Sequence, residues 1–328
     1  MSADTARAFW VAAPGRGEIR EEPVLPPRDD EVLIRTQYSG ISRGTEALVF
    51  HGRVPPTEGE RMRAPFQAGE FPAPVKYGYA AVGVVEGGPP DLRDRHVFVL
   101  HPHQTRFVVP VAAVHVLPEN VPPKRAVLAA TLETAITGLW DARPHVGDRV
   151  TVVGGGAVGC LVAFLTARII GCEVELLDVN AKRAETARAL GVRFAKPESA
   201  RPDADVVVHA SATASGLETA LRIAGFESLI VELSWYGAGV VPAPLGEAFH
   251  ARRLRIIASQ VGAVAPAMRG RRTHAERLAL ALHLLADSAY DALLEPATAF
   301  KNLPRAMPRL LAGGLCHLVS YGNEPCSA

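Results

Sequence analysis

Three glycines near the middle of the chain have a spacing suited to binding phosphate groups. Gly154, Gly156 and Gly159 form the pattern G-x-G-x-x-G directly after the apolar, β-branched run 149–153. An apolar stretch with helical spacing follows at 157–170. In a strand–turn–helix context the first glycine permits a tight turn, the second lets the backbone approach a pyrophosphate, and the third lets the helix pack on the strand. The pattern therefore predicts a dinucleotide-binding turn.

The helix that follows the turn supplies the groups for an anion. Its first residues, Ala157 and Val158, present backbone N–H groups and the positive end of the helix dipole. A second strand is predicted at 173–177, and Asp178 follows it, 24 residues after Gly154. An acidic residue there accepts the ribose hydroxyls of NAD and repels the 2′-phosphate of NADP. We therefore expect NAD(H) in preference to NADP(H).

Composition excludes several classes of function. The 328 residues carry 35 Lys and Arg against 34 Asp and Glu, so there is no charge asymmetry to suggest binding to nucleic acid or to an anionic membrane. No apolar run is long enough to cross a bilayer, and the N-terminus lacks a signal-peptide pattern. The cysteines form no C-x-x-C pair, which favours reduced thiols and a cytoplasmic location. They are Cys160, Cys172, Cys316 and Cys326.

The first part of the chain has the pattern of a β-rich domain. Short apolar runs alternate with Gly and Pro turns, and a helical turn starts at Ser42 or Thr45, either of which can cap it. A long irregular segment covers 51–74, where loops often carry function. The predicted strands are 6–13, 18–22, 31–38, 76–86, 95–100 and 105–110.

The second part alternates strands and helices, which predicts a parallel, twisted sheet with right-handed crossovers. It begins after a helix at 124–140. Its predicted strands are 150–153, 173–177, 205–209, 228–234 and 255–259, and its helices are 157–170, 180–189 and 215–224. After a helix at 273–287, strands at 293–300 and 316–321 flank a helix at 304–311, which suggests that the chain returns to the first domain.

This order of elements resembles the medium-chain dehydrogenase/reductase superfamily over nearly the whole chain. The matching pieces are 31–35, 39–41, 78–85, 94–97, 146–150 and the glycine turn. The resemblance implies an α/β protein with a GroES-like β-rich catalytic domain at 1–136 and 266–328 and a Rossmann NAD(H)-binding domain at 137–265. It also implies a homodimer through the edge strand 255–259. Residues 39–46 look most like the branch of the bacteriochlorophyllide hydroxyethyl dehydrogenases.

The sequence departs from the zinc-dependent members at their metal-ligand positions. Ser42 stands where a cysteine usually ends the first turn, and Tyr79 stands where a histidine usually opens the later strand. Glu133 keeps the third position. A catalytic zinc needs three protein ligands, so one carboxylate with a serine and a tyrosine predicts no zinc. His101 and His103 lack a cysteine partner, and packing or capping roles are favoured for them.

Without zinc, hydrogen-bond donors must polarise the substrate oxygen and manage one proton. The resemblance places five such candidates in the catalytic cleft: Ser42, Thr45, Glu46, Tyr79 and Glu133. Each has an alternative interpretation. Tyr79 could be a core tyrosine and the two hydroxyl residues could be helix caps. Glu46 could be a solvated charge, and Glu133 a leftover ligand position paired with a backbone group.

On the cofactor side, the resemblance points to Thr137 at the nicotinamide, Asp178 at the adenosine ribose and Ser211 in the turn that meets the ribose. The favoured hypothesis is a zinc-independent, NAD(H)-linked oxidoreductase acting on an alcohol or carbonyl of a small molecule. An NAD(P)H-dependent reductase of activated double bonds and a non-catalytic dinucleotide-binding protein are the alternatives.

Overall fold

The computed structural model describes residues 4–322, so Cys326 lies outside the described part. The chain forms two compact units. One contains the residues up to Ala130, Leu282–Asp287 and the residues from Leu294 onward, and the other contains Thr131–Ala281 and Ser288–Leu293. Three ranges that the sequence assigned to the first domain fall in the second unit: 131–136, 266–281 and 288–293.

The first unit is built mainly from strands, as the alternation of apolar runs and turns predicts. Its strands are β1 (Asp4–Ala13), β2 (Arg16–Val24), β3 (Glu31–Ile41), β4 (Ala68–Gly69), β5 (Val75–Lys76), β6 (Ala81–Gly87), β7 (His96–Val99), β8 (Arg106–Pro110), β9 (His115–Val116), β16 (Leu294–Ala299) and β17 (Cys316–Ser320). Its helices are α1 (Arg43–Phe50), α2 (Pro123–Ala126) and α9 (Leu303–Ala312).

These strands form two sheets within the described residues. One has the order β2-β1-β5-β4, and the other has the order β16-β17-β3-β6-β7-β9 with β8 also paired to β3. β17 runs antiparallel to β3, with His317 opposite Ile41, so this strand returns to the sheet that holds residues 31–41. Inward-facing β-branched and aromatic side chains fill the core of this sheet: Val32, Ile34, Val85, Val97, Val99, Phe107 and Val109.

The segment predicted as a single strand, 76–86, is interrupted, so that part of the prediction was wrong. β5 and β6 are separated by Tyr77–Ala80, which belong to no strand. Gly78 there has φ +129°, a conformation that L side chains rarely adopt, and a Cβ on it would lie 3.1 Å from His103 Cδ2. The close approach of the histidine requires this glycine, and the break leaves Tyr79 outside the strands.

The second unit alternates strands and helices. Its strands are β10 (Arg149–Val153), β11 (Glu173–Leu177), β12 (Arg193–Ala195), β13 (Ala204–His209), β14 (Ala224–Glu232) and β15 (Arg255–Ala258). Its helices are α3 (Ala129–Ala142, from its third residue), α4 (Ala157–Thr166), α5 (Arg183–Ala189), α6 (Ala214–Ile223), α7 (Ala248–Ala251) and α8 (His274–Leu284, up to Ala281). Short 3₁₀ turns occur along both units at Pro56–Glu58, Val111–Ala113, Pro197–Ser199, Pro266–Met268, Ser288–Leu293 and Phe300–Asn302.

All strands of the second unit's sheet run parallel, in the order β12-β11-β10-β13-β14-β15. This confirms the predicted doubly wound sheet. Its central strands β10 and β13 are buried along most of their length, as helices on each side require. The predicted helix 124–140 is divided into α2 and α3, and the short β12 was missed because three residues carry little periodicity. Among the described residues, no helix is long and apolar enough to cross a membrane.

Candidate functional site

The glycine turn joins β10 to α4, and two of its glycines are required by close contacts. Gly154 has φ +112°, and a Cβ on it would lie 2.6 Å from the Ser211 backbone nitrogen. A Cβ on Gly159 would collide with the carbonyl oxygen of Gly154. Gly156 is the N-cap residue of α4 in an extended conformation, with φ −74°. The turn therefore has the compactness that the sequence pattern predicts.

The N-terminus of α4 is the part of the turn that can hold an anion. Ala157 and Val158 are its first helical residues and both are half-exposed. The first N–H groups of a helix have no acceptor within it, and the helix dipole adds partial positive charge there. Gly156 caps the helix without a side-chain hydrogen bond. These residues fit the phosphates of a dinucleotide.

Asp178 lies directly beside the glycine turn. Its Oδ2 accepts a hydrogen bond of 2.6 Å from the Gly155 backbone nitrogen, and its Oδ1 accepts one of 2.7 Å from the Asn180 backbone nitrogen. The side chain is half-exposed at the end of β11. A carboxylate has about four lone-pair sites, so two backbone bonds leave acceptor capacity for ribose hydroxyls. The two bonds fix the negative charge next to the turn.

Ser211 follows β13 and contacts the glycine turn through its backbone. Its Oγ lies 2.7 Å from His209 Nε2, and His209 Nδ1 lies 2.6 Å from Glu232 Oε2. His209 is fully buried, whereas Ser211 is half-exposed. Sequence reasoning selected Ser211 but missed His209 and Glu232. The sequence feature that could have identified them is a polar residue at the carboxyl end of a strand: His209 ends β13 and Glu232 ends β14.

Glu133 and Thr137, one turn apart on α3, both contact the guanidinium group of Arg277. Arg277 Nε lies 3.0 Å from Glu133 Oε1, and Arg277 Nη1 lies 3.0 Å from Thr137 Oγ1. The Thr137 hydroxyl in turn donates to the Glu133 carbonyl oxygen at 2.9 Å. Burial raises the pKa of Glu133, and the positive charge of Arg277 opposes that rise. The alternative interpretation of Glu133, a pairing with a backbone group, is replaced by an ion pair with a side chain.

In the first unit, three hydroxyl groups meet at the start of α1. The side chains of Ser42 and Thr45 lie near enough to the Tyr79 hydroxyl to lower its pKa as hydrogen-bond donors. Ser42 occupies the N-cap position, but its side chain makes no capping hydrogen bond, so the capping role considered for it was wrong. Ser42 and Thr45 are three residues apart at the start of α1, so their side chains lie on the same face of the helix, toward Tyr79.

The Tyr79 phenol is held in its protonated form. Burial raises its pKa to about 12, and the charge of Glu46 and the Cys316 thiol act in the same direction. The hydrogen bonds from Ser42 and Thr45 oppose the rise. A phenol with this pKa stays neutral near pH 7 and can donate a hydrogen bond.

Glu46 is buried, which excludes the solvated surface charge considered for it. Its Oε1 accepts a hydrogen bond of 2.8 Å from the Ser42 backbone nitrogen, and its Oε2 lies 3.0 Å from His103 Nε2. His103 Nδ1 contacts Ser39 Oγ at 2.7 Å, and Ser39 Oγ contacts the Tyr321 hydroxyl at 2.9 Å. Sequence reasoning gave His103 a packing or capping role, whereas the structure makes it the partner of Glu46.

The donor atoms around Tyr79 do not suit zinc. Ser42 and Tyr79 offer neutral hydroxyls, which are poor ligands beside thiolate, imidazole and carboxylate. Burial raises the pKa of the neighbouring Cys316 thiol to about 12, which disfavours the thiolate that a metal would bind. Across residues 4–322, no three His, Cys, Asp or Glu side chains form a group that could hold a metal ion.

Comparisons with known proteins give individual relatives, whereas no family model matches the chain. The 2-dehydro-3-deoxy-L-galactonate 5-dehydrogenase of Pseudoalteromonas atlantica is 30% identical over 139 residues, 39% of this chain and 40% of that protein. The D-guloside 3-dehydrogenase of Escherichia coli is 26% identical over 70% of this chain and 74% of that protein. The 2-desacetyl-2-hydroxyethyl bacteriochlorophyllide A dehydrogenase of Rhodobacter capsulatus is 27% identical over 71% and 74%. The chain thus spans less than half the length of the first of these relatives.

Solved structures match over nearly the full length. L-idonate 5-dehydrogenase of Escherichia coli has a TM-score of 0.80 at 14% identity, with 98% of this chain and 99% of that chain covered. Acetophenone reductase of Geotrichum candidum, in complex with NAD, has a TM-score of 0.78 at 15% identity. The match covers 99% of this chain and 100% of that chain. A dehydrogenase of the zinc-binding type from Sinorhizobium meliloti, bound to NADP, has a TM-score of 0.75 at 18% identity, with 96% of this chain and 99% of that chain covered.

These likenesses confirm the predicted fold class, a GroES-like β-rich domain with a Rossmann domain. The sequence relatives and the structural neighbours together support the medium-chain dehydrogenase/reductase superfamily. They also support an oxidoreductase and a nicotinamide dinucleotide as its cofactor.

Proposed function

We propose that this protein is a zinc-independent, NAD(H)-dependent oxidoreductase that transfers hydride between nicotinamide and an alcohol or carbonyl group of a small molecule. The observation that carries the proposal is the glycine turn with Asp178 fixed against it at 2.6 Å. Its contacts fit a dinucleotide, and the relatives are dehydrogenases of sugars and related alcohols. A bound nicotinamide would supply or accept the hydride.

The residues that would hold the dinucleotide lie at the carboxyl ends of the parallel strands, where ligands of open α/β sheets bind. Gly154, Gly156 and Gly159 would let the backbone approach, and the N–H groups of Ala157 and Val158 would hold the phosphates. Asp178 would accept the ribose hydroxyls and repel a 2′-phosphate, which supports NAD(H) over NADP(H). Ser211 and Thr137 remain predicted contacts, from the turn after β13 and from α3.

Tyr79 is the residue we propose as proton donor. Reduction of a carbonyl consumes one hydride and one proton, and a neutral phenol can deliver that proton to the developing alkoxide. Ser42 and Thr45, whose side chains lower the pKa of the phenol as hydrogen-bond donors, are the groups that would orient it and return a proton to it. The buried Glu46 holds the Ser42 backbone and places negative charge near the phenol, which keeps its proton bound.

Glu133 is proposed as a positioning residue and not as the proton donor. Its carboxylate is engaged by Arg277 at 3.0 Å, and both side chains are almost fully buried. A carboxylate held in this way already has its counter-charge. We therefore propose that Glu133 positions α3 and Thr137, and that the proton is managed by Tyr79. The hydroxyl groups at the usual ligand positions support hydride transfer without zinc.

The relatives point to secondary alcohols of polyhydroxylated molecules as the first substrates to try. The bacteriochlorophyllide branch, which residues 39–46 resemble, is matched at 27% identity, close to the 26% of the D-guloside dehydrogenase. The long segment 51–74 is the part of the first unit that we expect to shape the substrate pocket.

A homodimer is the proposed assembly. β15 is the last strand at one edge of the parallel sheet, and three of its four residues are exposed. Among them Ile256 is apolar, and an open strand edge can pair with a second chain. Sedimentation of the purified chain as a monomer would contradict this assembly. The thiols of Cys160, Cys172 and Cys316 are free, which is compatible with the reducing cytoplasm we propose as its location.

The deciding experiment measures turnover and cofactor binding on the same preparation. The purified chain, with its zinc content determined, is titrated with NADH and with NADPH, and then assayed over a panel of polyols, sugar acids, ketones and enones. We expect tighter binding of NADH, turnover of alcohols or ketones, and activity that survives chelation. A strict zinc requirement would contradict the proposal. Preference for NADPH with enone reduction would favour a double-bond reductase, and tight NADH binding without turnover would favour a non-catalytic role.

A further inference from the structure

A chain of polar side chains, centred on the buried His209, runs beneath the Ser211 turn, by which we mean residues 210–213. Ser211 Oγ lies 2.7 Å from His209 Nε2, and His209 Nδ1 lies 2.6 Å from Glu232 Oε2. The other carboxylate oxygen of Glu232 accepts a hydrogen bond of 2.7 Å from the Ser234 nitrogen. Tyr236 donates its hydroxyl to Glu232 at 3.1 Å. The chain thus links the carboxyl ends of β13 and β14.

The chemistry of these groups sets the direction of the hydrogen bonds. Burial raises the pKa of Glu232, but the hydrogen bonds from His209 and Ser234 outweigh it and hold that pKa below its usual range. An ionised carboxylate only accepts, so His209 Nδ1 must carry the proton that it donates. His209 Nε2 lies 2.7 Å from the Ser211 hydroxyl oxygen, and the same oxygen lies 2.9 Å from Thr213 Oγ1.

The connectivity is that of a serine activated by a histidine and a carboxylate. The surroundings of the hydroxyl argue against a nucleophile. A Cβ on Gly216, in the first turn of α6, would collide with Ser211 Oγ, so the oxygen is packed against that helix. Thr213 contacts the same oxygen and also caps α6 by accepting from the Gly216 nitrogen at 3.1 Å. Gly216 and Thr213 therefore occupy the protein side of this half-exposed hydroxyl.

The Ser211 turn is held in an unusual conformation next to the glycine turn. Ala212 has φ +54°, in the left-handed region that costs energy for residues other than glycine. Its nitrogen donates to Ser234 Oγ at 3.0 Å, and Ser234 follows Glu232 by two residues. A Cβ on Gly154 would lie 2.8 Å from the Ser211 Cα and 2.6 Å from its nitrogen. Whatever holds the Ser211 turn therefore also shapes the surface beside Gly154.

We propose that His209 and Glu232 are positioning residues for the dinucleotide site, which hold the Ser211 turn against Gly154 in its binding conformation. Glu232 acts through His209, because the carboxylate contacts the ring and the ring contacts the serine. The inference rests on the proposed function, since it takes the glycine turn and Ser211 as part of the cofactor site.

A double-mutant cycle on the full chain tests the coupling, with NADH binding followed by fluorescence. Glu232→Ala and Ser211→Ala should each weaken NADH binding about tenfold, the effect of one lost hydrogen bond. Because both changes interrupt one chain, the double variant should also bind about tenfold more weakly than wild type, rather than about a hundredfold. Effects that multiply would overturn the proposal.

Two further variants separate positioning from a general loss of structure. Glu232→Gln keeps one carbonyl oxygen that can accept from His209 but turns an amide NH2 toward the Ser234 nitrogen, so NADH binding should lie between that of Glu232→Ala and that of wild type. Glu227→Gln is the matched control, because Glu227 lies in the same strand but is exposed and bonded to Arg253. Binding by Glu232→Ala as tight as by this control would overturn the inference.

A measurement on the wild-type chain avoids any dependence on variant folding. In ¹⁵N-histidine-labelled protein, we expect the His209 ring to carry its proton on Nδ1 and its signals to shift when NADH is added. Signals that do not respond to NADH would overturn the proposal. Failure of the wild-type chain to bind NADH would instead contradict the proposed function itself, and the two failures are thereby distinguished. A stoichiometric, Ser211-dependent burst with p-nitrophenyl acetate would show a nucleophilic serine and also overturn the positioning role.

Discussion

Arg277 and Glu133 form a buried ion pair, with Arg277 Nε 3.0 Å from Glu133 Oε1. The same guanidinium donates to Thr137 and to the carbonyl oxygens of Val261 and Ala263. It therefore ties α3 to the segment that follows β15. By resemblance Glu133 stands at a zinc-ligand position, and here its counter-charge is an arginine from α8.

Replacing Arg277 by Met should destabilise the second unit. The change leaves the Glu133 carboxylate buried without its partner, which costs about 3–5 kcal/mol of unfolding free energy. Urea denaturation followed by circular dichroism measures the loss. The double variant Arg277→Met with Glu133→Met should recover most of it, because no buried charge remains. The control is Arg188→Met on the exposed face of α5, and an equal loss there would contradict the role of the ion pair.

Removing the Tyr79 hydroxyl should slow carbonyl reduction without affecting cofactor binding. Tyr79→Phe loses the proposed proton donor, and we expect the rate constant to fall by about 10²–10⁴-fold. Stopped-flow oxidation of NADH gives the rate, and an NADH titration gives the affinity. Tyr77→Phe removes a neighbouring buried phenol that has no assigned role. A loss as large in that variant would argue against Tyr79.

Alkaline pH should lower the unfolding free energy through the Tyr79 phenol and the Cys316 thiol. The folded pKa of Tyr79 and that of Cys316 are each raised to about 12, from ordinary values of 10.0 and 9.0. Above those ordinary values the unfolded groups have lost their protons while the folded groups keep them, so unfolding free energy falls as pH rises. Each group contributes a slope of about 1.4 kcal/mol per pH unit up to its folded pKa. Urea denaturation at a series of pH values from roughly 8 to 11 should show this fall in unfolding free energy. The Tyr79→Phe variant should show a shallower slope.

Neutralising Asp178 should relax the choice between the two dinucleotides. Asp178→Asn keeps a carbonyl oxygen for the Gly155 nitrogen but removes the charge that repels a 2′-phosphate. We expect the ratio of NADPH to NADH affinity to rise about tenfold or more, which corresponds to about 1.4 kcal/mol. Glu185→Gln, an exposed acid in the first turn of α5, controls for a general change in charge. An equal shift in both variants would mean that Asp178 does not discriminate.

Alanine substitutions at two glycines with positive φ, Gly147 and Gly154, distinguish the effect of backbone strain from that of a steric clash. Gly147 has φ +93° and open space within 4 Å of the position a Cβ would take, whereas a Cβ on Gly154 would lie 2.6 Å from the Ser211 nitrogen. Gly147→Ala should lower the unfolding free energy by about 1–2 kcal/mol and leave NADH binding unchanged. Gly154→Ala should cost more and weaken NADH binding at least about tenfold, because the Ser211 turn must move. Unchanged NADH affinity in Gly154→Ala would remove this contact from the dinucleotide site.

Much of the fold follows from local pattern. The β-branched run before Gly154 and the helical spacing after it predicted β10 and α4, and repetition of that unit predicted the parallel sheet. Short elements such as β12 and the break at Gly78 escaped, because two or three residues carry no periodicity and a turn there depends on a distant histidine. The interruption of 76–86 at Gly78 is an example of tertiary contact overriding strand propensity.

The sequence by itself determined the residue types at the chemical positions: a glycine turn followed by an acid, and hydroxyls where metal ligands would stand. Only the tertiary structure decided their partners. Glu46 is paired with His103 across 57 positions, and Glu133 with Arg277 across 144. The reason is physical: a buried charge needs a partner, and packing of non-consecutive elements selects which one it receives. The turn before α4 could be predicted from the chain because its contacts are local, whereas these long-range pairs could not.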